Sequence, residues 1–236
     1  MADKWETSLT SQAALVILPP LSQLSAVQKI RKEHDKAYSK WAPHVTLLYP
    51  FLPPSFLEQV TKLIDQGLGT VMHKGRVLRE YFPLRVRLSS MQNSSGSKYV
   101  TLQLMEVDEE AQGTLLALHS FLHQKLYQGS DVGGVGSNKS ASKGKGKGKG
   151  KQSGNGKKTT KEIESRSQSF HPHLTLGQWP QNQVDKEMHR MNEGWIPIEF
   201  EVGELSMMWR KDADAPYKAI GSITLGEPEE EEERTA

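Results

Sequence analysis

The chain has 236 residues, no cysteine and a formal charge of +2. Lack of cysteine excludes disulfides, thiolate catalysis and cysteine-based zinc sites, while saying little about compartment. The polar start and the short first apolar run, Ala13–Leu18, are too weak for a signal peptide or a membrane span, so the expectation is a soluble intracellular monomer.

The small net charge sums two opposed blocks. Lys139 to Lys161 holds nine lysines and no acid, whereas Glu227 to Glu233 holds six glutamates. Residues 129–168 are dominated by Gly, Ser, Lys, Asn and Gln, a composition that cannot bury enough apolar surface to fold alone. The rest of the chain has an ordinary globular composition and enough length for a substantial core.

In chain order, Ala13–Leu18 is a continuous apolar run closed by Pro19-Pro20, which predicts a buried strand. Residues 22–40 place Leu24, Val27, Ile30 and His34 at helical spacing. Pro43–Phe51 reads as a second strand, and Ser55 as the cap of a helix carrying Phe56, Val60 and Leu63 to a stop near Gly67–Gly69. Phe82–Leu88 and Tyr99–Val107 alternate as strands about a turn at Asn93–Gly96, and Glu109–Tyr127 is an amphipathic helix with Leu115, Leu118, Leu122 and Leu126 in one stripe. Beyond the low-complexity segment come a strand at Phe170–Leu176, a helix at 182–192, one strand spanning Ile198–Trp209, a turn at Asp212–Pro216 and a strand at Tyr217–Leu225.

One pentapeptide pattern occurs twice, as Pro43-His44-Val45-Thr46-Leu47 and Pro172-His173-Leu174-Thr175-Leu176. Strand side chains alternate between faces, so in each copy the histidine and threonine share one face and the two aliphatic residues the other. Two such strands set against each other gather two imidazoles and two hydroxyls. Imidazole exchanges protons near neutral pH, and hydroxyls can donate to non-bridging phosphoryl oxygens. That constellation suits in-line displacement at a phosphodiester and demands neither metal nor cofactor. A pair of metal ligands at His171 and His173 is the alternative, without a third ligand at a recognisable spacing. His34, His73, His119, His123 and His189 have no partner motif and read as structural or surface residues.

At His44-Val-Thr-Leu-Leu-Tyr-Pro-Phe51, at Phe170-His-Pro-His-Leu-Thr-Leu-Gly177, and in the pattern Leu205–Arg210 followed by Tyr217–Gly226, the chain resembles the two-histidine (2H) phosphoesterase superfamily, in particular its 2′-5′ RNA ligase-like branch. The resemblance covers about residues 10–128 and 168–226. It implies an α+β fold of two pseudo-symmetric antiparallel-sheet lobes, helices outside and a central cleft, in a single bilobal domain over 1–226. The basic insert at 129–168 and the acidic tail at 227–236 fall outside the resemblance, and their compositions predict disorder.

The resemblance further implies metal-independent cleavage or ligation at RNA phosphodiesters, 2′,3′-cyclic or 2′-5′ linked. His44 and His173 become the acid–base pair, with His173 as base and His44 as acid for a cyclic phosphate. Thr46 and Thr175 become donors to the phosphate, and Tyr217 an aromatic lining the cleft. Arg210 and Tyr49 are further candidates for holding substrate by charge and by stacking; Arg85 and Arg87 read as a solvated strand face. The lysine-rich arm is expected to contact nucleic acid electrostatically, and its Lys-Gly repeat to act at most as a weak nuclear import signal beside a cytoplasmic location. A non-catalytic RNA-end binding module and an RNA-tethering adaptor built on the arm are the other readings.

Overall fold

A computed structural model describes residues 8–94, 99–106, 108–127 and 170–227. The expected disorder of the insert at 129–168, and of the acidic tail beyond Glu227, lies outside the described residues. In chain order the elements are β1 (Ala13–Ile17), α1 (Ser25–His34), β2 (Val45–Leu48), α2 (Leu57–Leu68), β3 (Met72–His73), β4 (Arg76–Val77), β5 (Leu84–Ser94), β6 (Tyr99–Glu106), α3 (Glu109–Tyr127), β7 (His173–Pro180), α4 (Val184–Asn192), β8 (Ile198–Val202), β9 (Glu204–Trp209) and β10 (Lys218–Thr224).

Eight strands form one antiparallel sheet in the order β10-β9-β1-β2-β7-β6-β5-β8, while β3 and β4 make a separate hairpin. The sheet divides at its centre, where β2 meets β7 at the single register pair Val45↔Leu174. On either side stand four strands, so the fold is α+β with two similar lobes. These lobes are not the two halves of the sequence. One takes β1 and β2 from the beginning of the chain and β9 and β10 from its end, and the other takes β5, β6, β7 and β8.

The reason lies at Gly203. The alternating stretch expected as one strand from Ile198 to Trp209 is broken there into β8 and β9, which occupy different lobes. β8 pairs with β5 at one edge of the sheet, and one residue later β9 pairs with β1 and β10 near the other. The sheet therefore curls until its two ends are a residue apart. Leu225 N donates to Gly203 O (2.9 Å) and Arg79 Nη1 to Gly226 O (3.0 Å), closing the gap.

Two helix boundaries also depart from expectation. The helix expected over 22–40 stops at His34, because the Asp35 carboxylate accepts the Ala37 N–H (2.9 Å) and draws residues 35–41 into turns. Ser55 is not a cap. Pro54 opens a short 3₁₀ turn, which a residue lacking an N–H suits, and α2 starts only at Leu57.

The main core lies on the face of the sheet opposite the histidines and threonines of the two motifs. It receives Leu15 and Ile17 of β1, Val45 and Leu47, Leu174 and Leu176, the α2 stripe Val60, Ile64 and Leu68, and the α3 stripe Leu115, Leu118, Leu122 and Leu126. Burial of each such side chain contributes about 1.5–3 kcal/mol, which locks the register on which the opposite face depends. On that opposite face Ala14, Val16, Met208 and Tyr217 make a small second cluster with Leu18 and Trp41.

Candidate active site

The central seam fixes the geometry. With Val45 opposite Leu174 in an antiparallel pair, His44 falls opposite Thr175 and Thr46 opposite His173. The aliphatic members of both motifs are buried, and the four polar members are half-buried on the other face, as strand alternation requires. A block of two imidazoles and two hydroxyls results, each histidine beside the other motif's threonine.

Both rings are held in the same way. His44 Nδ1 donates to Ala42 O (2.7 Å) and His173 Nδ1 to His171 O (2.8 Å). A carbonyl can only accept, so Nδ1 carries the proton and Nε2 is the nitrogen that exchanges one. Burial lowers the His44 pKa to about 4 against the counteracting Ala42 carbonyl; the positive charges of Arg31 and His173 lower it further and Asp35 raises it. His173 is lowered too, by burial first, with the His171 carbonyl opposing and the His171 charge adding.

A cleft of about 360 Å³ opens beside this block, lined by His44 and Thr175 together with Trp41, Thr101, Gln103, Gln178 and the Arg31–Asp35 pair. Arg31 and Asp35 are buried, and their side chains meet at 2.8 Å. The same guanidinium donates to Trp41 O (2.8 Å), tying both ends of the 35–41 turn to α1. Trp41 in turn stacks on His44 (centroids 4.6 Å apart) and on Tyr217 (3.5 Å). His44 is thus fixed in its plane by a carbonyl and across its face by an indole.

Tyr217, Arg210 and Tyr49 stand one layer behind this, on the Trp41 side. Their donors converge on a single acceptor, Ser11 O, from Tyr217 Oη at 2.5 Å and from Tyr49 Oη and Arg210 Nη2 at 3.3 Å each. Tyr217 is buried, and burial, with Tyr49 beside it, pushes its hydroxyl up to about 12. Arg210 lies over the Tyr217 ring at 4.8 Å and also donates to Ala213 O. Tyr217 stacks on Trp41 and Tyr49 meets its edge at 6.3 Å, and none of the three lines the cleft. Arg85 and Arg87 both pair with Glu199 on the β5–β8 edge.

His171 is exposed and sits before β7 begins; its carbonyl is what holds His173. Among the described residues no group of three or more His, Cys, Asp or Glu stands together to hold a metal ion. His34 stacks on Trp179 and His119 on Phe170, both as parts of the packing. Sequence reasoning missed Trp41, Arg31, Asp35, Thr101, Gln103 and Gln178. The polar alternation of Thr101 and Gln103 between Val100, Leu102 and Leu104 was a readable sign of an open strand face; the buried Arg31 left none.

Two histidines and two threonines, paired crosswise on adjacent antiparallel strands above a cleft, define a two-histidine site. A family model described as the 2′-5′ RNA ligase superfamily matches residues 19–214, and the chain belongs to that superfamily. A curated relative, "Putative phosphoesterase GK0864" of Geobacillus kaustophilus (strain HTA426), is 28% identical over 115 residues, which are 49% of this chain and 59% of that protein. The match therefore spans less than two thirds of the relative's length. Among solved structures, E. coli LigT in apo form aligns over 93% of this chain and 99% of its own at 15% identity and a TM-score of 0.44. Kluyveromyces marxianus Usb1 with uridine monophosphate aligns over 92% and 99% at 12% identity and a TM-score of 0.40. No helix among the described residues is long and apolar enough to cross a membrane.

Proposed function

We propose that this protein is a phosphodiesterase acting on RNA ends or oligonucleotides, at a 2′,3′-cyclic phosphate or a 2′-5′ linkage, through general acid–base catalysis by His44 and His173. The observation that carries the proposal is the antiparallel register pair Val45↔Leu174 at the seam, from which His44 is inferred to stand against Thr175 and Thr46 against His173. Membership of a superfamily named for RNA ligation, and a relative named as a phosphoesterase, support the same chemistry.

A phosphodiester seated between the strands accepts hydrogen bonds from the two threonine hydroxyls on its non-bridging oxygens. In hydrolysis of a cyclic phosphate one histidine takes a proton from water as its oxygen bonds to phosphorus. The bond from phosphorus to one ribose oxygen breaks, and the second histidine protonates that oxygen, leaving a phosphomonoester on the other. Burial lowers the His44 pKa to about 4 and keeps that ring neutral, so His44 is assigned as base and His173 as acid. This reverses the assignment expected from the sequence. The same pair run backwards supports ligation.

The test is turnover of an oligonucleotide ending in a 2′,3′-cyclic phosphate and of a 2′-5′ linked one, with a chelator present, by wild type, His44→Ala and His173→Ala. The expected result is cleavage of at least one substrate by wild type and a loss of about 10²–10⁴-fold in each variant. Cleavage that survives both substitutions overturns the assignment, and nucleotide binding without cleavage favours an end-binding module.

A further inference from the structure

Strand β7 contains a bulge, and the bulge decides which residue follows the second motif into the cleft. Thr175 stands opposite Gln103 and Gly177 opposite Leu102, so two steps along β7 match one along β6 and Leu176 is the extra residue. By strict alternation Gln178, three residues after Thr175, would face the core. The extra residue restores its parity, so Gln178 joins Thr175 on the cleft side, opposite Thr101, and Trp179 goes to the core. Bulges beside active sites commonly re-aim a side chain in this way.

The amide so aimed has a fixed sense. Lys36 N, just past the end of α1, donates to Gln178 Oε1 at 3.1 Å. A backbone N–H can only donate, so the carbonyl oxygen of the side chain must face Lys36 and the NH₂ is what Gln178 presents. Gly177 allows α1 to come this close, because a Cβ there would lie 2.7 Å from His34 Cβ and 2.9 Å from His34 O. Thr101 and Gln103 carry groups that both donate and accept, so of the three only Gln178 imposes a direction.

Thr175 marks the phosphate end of the cleft, and Gln178 is roughly 7–10 Å further along the strand at about 3.3 Å per residue. That span matches the reach from a ribose phosphate to the far edge of its own base. We propose that Gln178 is a specificity-determining residue whose NH₂ donates to a keto oxygen on that edge, so that the cleft prefers uracil or guanine over cytosine or adenine. The inference rests on the phosphodiester reading of the His44–Thr175 end. Uracil and guanine carry the keto oxygen where cytosine and adenine carry an amino group, and two donors facing each other leave both unpaired.

Binding of the four nucleoside 3′-monophosphates, measured by calorimetry with the full-length protein, tests the proposal without requiring turnover. Wild type is expected to bind the uridine and guanosine nucleotides about tenfold tighter than the other two, one hydrogen bond's worth. Gln178→Glu keeps an oxygen for Lys36 N–H and turns the other outward as an acceptor, so the order reverses. Gln178→Met, which has neither group, flattens it. Affinities equal within about twofold in wild type, or an order that Gln178→Glu leaves unchanged, overturn the proposal. Turnover of the four nucleoside 2′,3′-cyclic phosphates is measured alongside. Turnover without base preference overturns this inference and leaves the hydrolase reading standing, base preference without turnover does the reverse, and no binding of any nucleotide overturns both.

Discussion

His44 and His173, which lie 129 positions apart in the chain, make the same hydrogen bond: each donates Nδ1–H to the carbonyl two residues upstream, at 2.7 Å to Ala42 and 2.8 Å to His171. The equivalence ends at the ring faces. His44 is stacked on Trp41, whose carbonyl is held by the buried Arg31, whereas His173 is anchored beside the exposed His171. Two identical motifs therefore make two different acids, and the first prediction reads that difference.

If His44 must be neutral and His173 protonated, kcat/KM rises through the pKa of the first and falls through that of the second. Burial takes His44 from 6.5 to about 4 and holds His173 below its ordinary value, so the kcat/KM profile is expected to have its acid limb near 4 and its alkaline limb on the acid side of 6.5. A bound phosphodiester anion favours both imidazolium forms, so the kcat limbs lie at higher pH. Steady-state kinetics across pH at constant ionic strength check this, and an acid limb of kcat/KM at 6.5 or above contradicts it.

The Arg31–Asp35 pair is a positioning device. Arg31→Met leaves a buried carboxylate uncompensated and is expected to cost about 3–5 kcal/mol, while Arg31→Met with Asp35→Leu recovers most of that. Neither restores the hydrogen bond to Trp41 O, so kcat for cyclic-phosphate hydrolysis is expected to stay about tenfold down in the double variant. Denaturant melts and kinetics separate the two effects. A double variant with wild-type kcat denies Arg31 this role.

Gly177→Ala forces a Cβ into the end of α1 and is expected to destabilise the fold by about 1–3 kcal/mol. Gly194→Ala is the internal control. A Cβ there meets nothing within 4 Å, so it is expected to be neutral or stabilising by up to about 1 kcal/mol. Equal midpoints for the two variants in urea unfolding contradict the close packing of α1 on β7.

His119 carries a stability prediction with a definite sign. It is stacked face to face on Phe170 at 4.0 Å, its Nδ1 has no hydrogen-bond partner, and burial with His123 nearby lowers it to about 4. The unfolded chain takes up the proton first, so this contribution is complete above pH 6.5 and is lost as pH falls towards and through 4. The loss is on the order of 3 kcal/mol for such a shift. His119→Phe keeps the stacked ring without the titration and is expected to flatten the stability curve over that window; a curve as steep as wild type contradicts it.

The lysine-rich segment enters the described structure at Phe170, three residues before His173, and leaves it at Tyr127. Deleting residues 137–161 is expected to leave turnover of a cyclic mononucleotide unchanged. It is expected to weaken use of longer RNA at low salt and to reduce the salt dependence of binding. Equal use of long RNA by both proteins at low salt removes the arm from substrate binding.

Much of the site was legible because strand alternation is local. Pro-His-x-Thr-Leu on an extended backbone must put imidazole and hydroxyl on one side and two aliphatic groups on the other, and burial then selects which side faces the core. The α3 stripe was legible for the same reason, since Leu115, Leu118, Leu122 and Leu126 follow the helical period. Residues such as Arg31 were not. An arginine between lysines on an amphipathic helix reads as solvated, and only the turn that brings Asp35 and the Trp41 carbonyl back to it accounts for its burial.

What the sequence determined by itself is therefore the pair of motif strands, the polar face they share and the chemistry those side chains can do. These depend on periods of two and 3.6 residues and on nothing distant. The tertiary structure alone decided the exchange of strands between lobes at Gly203, the crosswise placement of each histidine against the other motif's threonine, the indole across His44 and the bulge that turns Gln178 into the cleft. Each of these depends on the register between segments far apart in the chain, and that register is set by packing of the whole core rather than by any local pattern.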